Sequence, residues 1–156
     1  GKLWPKYRGE EVAGAVFETA VEYLDAAQRE AYRVHGRDGK LVDAAGRPLD
    51  GGPPGEDGKP RRAIYAMDAA GNLYASFDHG KGRFHHSSFL AGGPVACAGE
   101  MVIEDGRVVE LTNMSGHYRP PPFTLDAVRE RLVEMGVDVE GMRVAPVGAD
   151  VKPGGQ

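Results

Sequence analysis

Apolar residues recur at helical intervals near the start of the chain. Val12, Val16, Phe17, Ala20 and Leu24 form one stripe and predict a helix from Glu10 to about Tyr23. Asp25, followed three places later by Gln28, resembles a capping pair that opens a second short helix through about Val34, with Gly36 as its stop. From Arg37 to Arg61 the periodicity gives way to Asp-Gly, Gly-Gly-Pro-Pro and Asp-Gly-Lys-Pro turns. This predicts a mobile connector with at most a short extended piece at Lys40 to Val42.

Strand patterns follow. Arg62 to Met67 and Leu73 to Phe77 flank a glycine-bearing turn and read as a hairpin. Met101 to Ile103 and Val108 to Leu111 flank Asp105-Gly106, a pair suited to a turn with positive φ at both central residues. Apolar residues occupy both faces of this second hairpin, so it belongs in the centre of a sheet with helices on at least one side. Thr124 is expected to cap a helix from Leu125 to about Met135, and a last strand falls near Met142 to Ala145. The order predicts an α+β fold: a mostly antiparallel central sheet with two N-terminal helices and one C-terminal helix. The expected organisation is a single domain, 1–156. It divides into a helical layer over 1–34, a Gly/Pro-rich connector over 35–61, an α+β core of catalytic type over 62–147 and a tail over 148–156.

Composition narrows the reading. At 156 residues and 41% hydrophobic content the chain can bury one core. A formal charge of -4 supplies no basic field for coating nucleic acid, although it leaves RNA cleavage open. Cys97 is the sole cysteine, so no internal disulfide or disulfide-linked partner is expected, and it has no neighbour at metal-ligand spacing. Its simplest role is that of a small buried apolar residue. No stretch approaches the roughly 20 apolar residues of a membrane helix. Beginning at Gly1 rather than methionine, the sequence is expected to be part of a longer protein.

The candidate chemistry sits in two polar knots. One runs from Gly82 and Arg83 through Phe84-His85-His86-Ser87-Ser88-Phe89 to Gly92-Gly93; the other is Asn113-Met114-Ser115-Gly116-His117-Tyr118. Adjacent histidines in a strand point to opposite faces, and His86 is the one assigned to a cleft. Plainer roles stand beside each assignment. Ser87 and Ser88 could cap or bond local backbone, and His117 and Tyr118 could form a buried hydrogen-bonded turn. Glu100 could sit in a salt bridge, and Gly92-Gly93 could be an ordinary turn rather than a phosphate cradle.

The elements FHHSSFLAGGPVACAGE, DG, SGHYRP and GVDVEGMRV resemble a module at the C-terminal ends of bacterial polymorphic toxins of the Rhs and filamentous-adhesin types. A similar block occurs in plant calmodulin-binding IQ-motif proteins. This chain shows no IQ motif, so calmodulin binding does not carry over to it. The toxin resemblance implies a secreted tip delivered to a target cell, an immunity protein as partner and a macromolecular target. A fainter likeness to ADP-ribosyltransferases implies NAD as substrate. Under it His86, Ser87 and Ser88 form the second strand element and Glu100 is the carboxylate at the nicotinamide ribose. Arg62 or Arg83 would fork the pyrophosphate, with Gly92 and Gly93 nearby and Tyr118 against nicotinamide. No metal is expected. A second reading is a metal-independent ribonuclease in which His86 and His117 exchange protons, with Tyr118 or Arg119 steadying the phosphate. A third is a non-enzymatic domain that binds a protein partner.

Overall fold

A computed structural model describes residues 1–12, 21–79, 84–116 and 118–148. Its centre is a five-stranded sheet built from β3 (Arg62–Met67), β4 (Leu73–Ser76), β5 (Cys97–Glu104), β6 (Arg107–Thr112) and β7 (Arg143–Ala145), ordered β4-β3-β5-β6-β7. Every pairing is antiparallel except β6 with β7. Together with its few helices this is the α+β class read from the sequence.

Both sheet faces are covered, as the doubly apolar strands demand. On one face Ala63, Tyr65, Met67, Met101, Ile103 and Leu111 pack against Leu125, Val128 and Leu132 of α3 (Thr124–Glu134). On the other, Ile64, Ala66, Tyr74 and Ala98 meet Leu3, Leu24, Phe84, Phe89 and Tyr118. A bulge in the β5–β6 pairing lets both Val108 and Leu111 reach the α3 side, because one extra residue restores the alternation that a three-residue spacing would break. The connecting turn, Asp105 at φ 47° and Gly106 at φ 77°, is the tight turn read from the sequence.

The N-terminal layer differs from its expectation. Of the helix expected over 10–23, residues 13–20 lie outside the described residues, whereas Glu10 to Val12 form a turn and 21–25 are not helical. Asp25 and Gln28 do make a reciprocal capping box on α1 (Ala26–Glu30). That helix stops well before Val34, because the edge of β4 takes over the chain: Val34 N–H donates to Leu73 O at 2.9 Å and Ala75 N–H to Tyr32 O at 3.0 Å.

Residues 35–61 carry more structure than a run of turns. β1 (His35–Arg37) and β2 (Lys40–Val42) form a hairpin, and Leu41 N–H reaches Gly106 O at 2.7 Å. β1 has no apolar signal in the sequence. Gly36 is no helix stop; a Cβ there would lie 2.0 Å from the Met135 carbonyl oxygen, so the strand passes α3 at a distance only glycine allows. Thr124 is likewise not the cap of α3: Phe123 holds that position, and the Thr124 hydroxyl donates to Pro121 O at 2.6 Å.

Candidate functional site

The first polar knot forms a helix, not a strand. His86–Phe89 make the short α2, and all four residues are buried. His85 precedes it in extended conformation, and its N–H donates to Ser88 Oγ at 3.0 Å, so Ser88 stabilises the start of the turn. The expectation that His85 and His86 point to opposite faces of a strand is therefore corrected. The aromatic sequence around the knot favours this outcome: Phe84 and Phe89 meet edge to face at 5.3 Å between centroids, with Tyr32 beside both.

Each polar group of α2 is engaged by the fold. His86 Nε2 lies 2.6 Å from the carbonyl oxygen of Gly99 on β5. Gly99 is required beneath it, since a Cβ would meet Thr112 O at 1.9 Å. Ser87 is 0% exposed and donates its hydroxyl to Glu10 Oε1. The same carboxylate oxygen accepts from Tyr23 Oη at 2.8 Å. Glu10 is itself 0% exposed, and its backbone accepts from Val21 N–H at 2.8 Å. Two hydroxyl donors on a sealed carboxylate supply part of what burial takes from it.

The second knot closes onto the first. Tyr118 is buried and donates its hydroxyl to Gly93 O at 2.7 Å, while Gly92 N–H donates to Ser87 O at 2.8 Å. Burial pushes the Tyr118 phenol above its usual value, and the neighbouring Glu10 charge adds to this. The Tyr23 phenol is raised by burial first, then by its bond to Glu10. Gly92 and Gly93 thus shape a turn occupied by the chain's own tyrosines, with Tyr23 packed against Gly92.

The remaining candidates lie elsewhere. Arg62 bridges two carboxylates at one end of β3, with Glu100 at 3.8 Å and Glu110 at 3.0 Å. Its guanidinium fork is committed there. Glu100 is half-buried, and desolvation raises its carboxyl above the usual range despite opposition from Arg62 and His79. His117 and Arg83 lie outside the described residues, so the proposed pairing of His86 with His117 does too. Among the described residues no group of three or more His, Cys, Asp or Glu is placed to hold a metal.

Sequence reasoning missed Glu10 and Tyr23. Helical periodicity made Glu10 the start of a helix, and nothing local marks a residue whose partner is Ser87, 77 positions away. It also missed the open surface. Beside the sealed knot lies a hollow of about 890 Å³ walled by Lys2, Trp4, Arg8, Arg119 and Phe123, where the Arg119 guanidinium stacks on Trp4 at 4.0 Å from the ring centroid.

Comparison with known proteins places these features in a family. Residues 28–124 match the family described as IQ motif-containing protein middle domain. Among curated relatives from Arabidopsis thaliana, IQ domain-containing protein IQM3 is 33% identical over 133 residues, covering 85% of this chain and 28% of the relative. IQM1 is 33% identical over 123 residues, covering 79% and 24%, and IQM5 is 37% identical over 100 residues, covering 64% and 19%. The chain therefore spans between about a fifth and somewhat over a quarter of the length of these relatives. No solved structure matches.

These matches correct the toxin reading. The family match runs over residues 28–124 and takes in both polar knots, and the relative matched over 85% of the chain is a plant IQ domain-containing protein. The secreted tip, the immunity partner and the enzymatic assignments fall with that resemblance. The strand that the transferase likeness assigned to His86, Ser87 and Ser88 is corrected as well, since these residues lie buried on α2. The chain belongs to the family of IQ motif-containing protein middle domains.

Proposed function

We propose that this chain is a non-enzymatic protein-binding domain, a rigid platform carried within a longer IQ-motif protein. The observation that carries this reading is the internal commitment of the motif itself. Ser87 and Tyr23 are bonded to Glu10, His86 to Gly99, and Tyr118 to Gly93. Side chains spent in this way stabilise a shape; chemistry on a substrate would need them at an opening. Family membership agrees with this reading, since the relatives are IQ domain-containing proteins.

The test has two parts. Labelled NAD and RNA are incubated with the chain, and both remain intact. Photo-crosslinkers are then placed at several exposed positions in cells of the source organism, and a protein partner is recovered from a defined subset of them. Turnover of NAD or RNA that disappears in His86→Ala, with the fold preserved, overturns the proposal. So does an absence of crosslinked protein at every position.

A further inference from the structure

We propose that the groove beside the sealed knot binds an extended acidic peptide segment, with Trp4 and Arg119 as its central anchor; this rests on the protein-binding reading above. Three adjoining hollows make the groove. The central one, about 890 Å³, shares Lys2, Leu3 and Arg8 with a hollow of about 220 Å³ that reaches Gly92 and Pro94. At its other end it shares Arg119, Pro120 and Pro121 with one of about 360 Å³ that reaches Met114 and Val147. Three hollows joined by shared walls suit an extended chain better than a compact small molecule.

Charge selects the occupant. The chain carries a formal net charge of -4, yet the described residues lining the three hollows include Lys2, Arg8 and Arg119 and no acid. Apolar surface is on offer between these charges: Trp4 is 41% exposed and Met114 49%. Tryptophan and arginine are the side chains that most often dominate binding energy at protein interfaces, and here they are stacked on one another.

The anchor is held in place by the sealed knot. Arg119 adopts φ 48°, a left-handed conformation costly for a side chain of its kind. It is kept there by its N–H donating to Ser115 O at 2.7 Å and its Nε donating to Gly116 O at 3.2 Å, next to Tyr118 locked on Gly93. The polar motif thus sets the angle at which the guanidinium meets Trp4, and the carboxylates of a docking peptide are met by an arginine already oriented.

Trp4 is the single tryptophan of the chain, so its fluorescence reports on this groove alone. The probe is a blocked eight-residue peptide of Glu, Asp, Pro and Leu without tryptophan, titrated into the full chain. The matched Gln/Asn peptide, free glutamate and inorganic phosphate serve as comparisons. A saturable change in Trp4 emission is expected with the acidic peptide, weakened at least ten-fold by raised salt and by Arg119→Gln. The double variant Lys2→Gln/Arg8→Gln, on exposed positions that leave the Trp4 stack intact, also weakens it. Equal binding of the neutral peptide, or of phosphate at the same concentration, overturns the assignment, as does unchanged emission throughout. If a crosslinked partner is nonetheless recovered at positions outside the groove, the acidic-peptide proposal fails while the protein-binding reading stands. Turnover of NAD or RNA would sink that reading, whatever the peptide does.

Discussion

The Ser87 hydroxyl donates to the carboxylate of Glu10, tying the short helix of the family motif to the N-terminal segment across a sequence separation of 77 residues. Both residues are fully buried. The bond converts a serine that looks reactive in the sequence into part of the hydrogen-bonded interior.

Removing the acceptor should therefore cost more than removing one donor. Glu10→Ala strands the Ser87 and Tyr23 hydroxyls, and about 2–4 kcal/mol of stability is expected to be lost. Ser87→Ala, with Tyr23 still on the carboxylate, should lose about 1–2 kcal/mol. Urea denaturation of the three proteins gives both values, and equal stability of Glu10→Ala and the parent would contradict the arrangement.

Glycine at two close approaches makes a sharper forecast. Gly99→Ala would place a Cβ 1.9 Å from Thr112 O, and Gly36→Ala 2.0 Å from Met135 O. Each should destabilise by about 3 kcal/mol or more, since both obstacles are backbone. Gly136→Ala meets nothing within 4 Å and carries only the strain of φ +83°, about 1–2 kcal/mol. Thermal melting should rank Gly136→Ala well above the other two.

Glu100 gives a pH dependence with a defined sign. Its folded carboxyl is raised above the ordinary value because desolvation outweighs the opposing charges of Arg62, at 3.8 Å, and His79, and the charge of Glu110 adds to the rise. The folded state then binds a proton more tightly than the unfolded chain does. Its contribution is fully present below the unfolded value and is lost as pH rises through the folded one. Denaturant titrations from pH 4 to 7 should show the parent losing stability with rising pH relative to Glu100→Gln. The opposite slope would mean that the ion pair dominates.

Cys97 should be inert until the protein opens. It is fully buried on β5, and burial raises its thiol above the usual value. A disulfide reagent at pH 8 should titrate no thiol in the native chain and one in guanidinium. Rapid native reaction would show that the α3 face of the sheet is accessible.

Much of the fold was legible locally. The two core hairpins, the Asp105-Gly106 turn, the Asp25–Gln28 capping box and the apolar stripe of α3 are set by alternation, positive φ and 3.6-residue spacing, all of which act between near neighbours. β1 and the early end of α1 were not legible, because His35-Gly36-Arg37 gains its strand from β2 and the chain after Glu30 is captured by the edge of β4. The candidate side chains were visible by type, but their roles were not.

By itself the sequence determined the class of fold, the central place of the doubly apolar strands and the two polar knots as the distinctive part of the chain. Only the tertiary structure decided what those knots do. It placed His86, Ser87 and Tyr118 against Gly99, Glu10 and Gly93, and left Trp4 and Arg119 on the open groove. The physical reason is range: propensity and periodicity act over a few residues, whereas whether a hydroxyl meets a carboxylate or a solvent-filled cleft depends on segments folded together from distant parts of the chain.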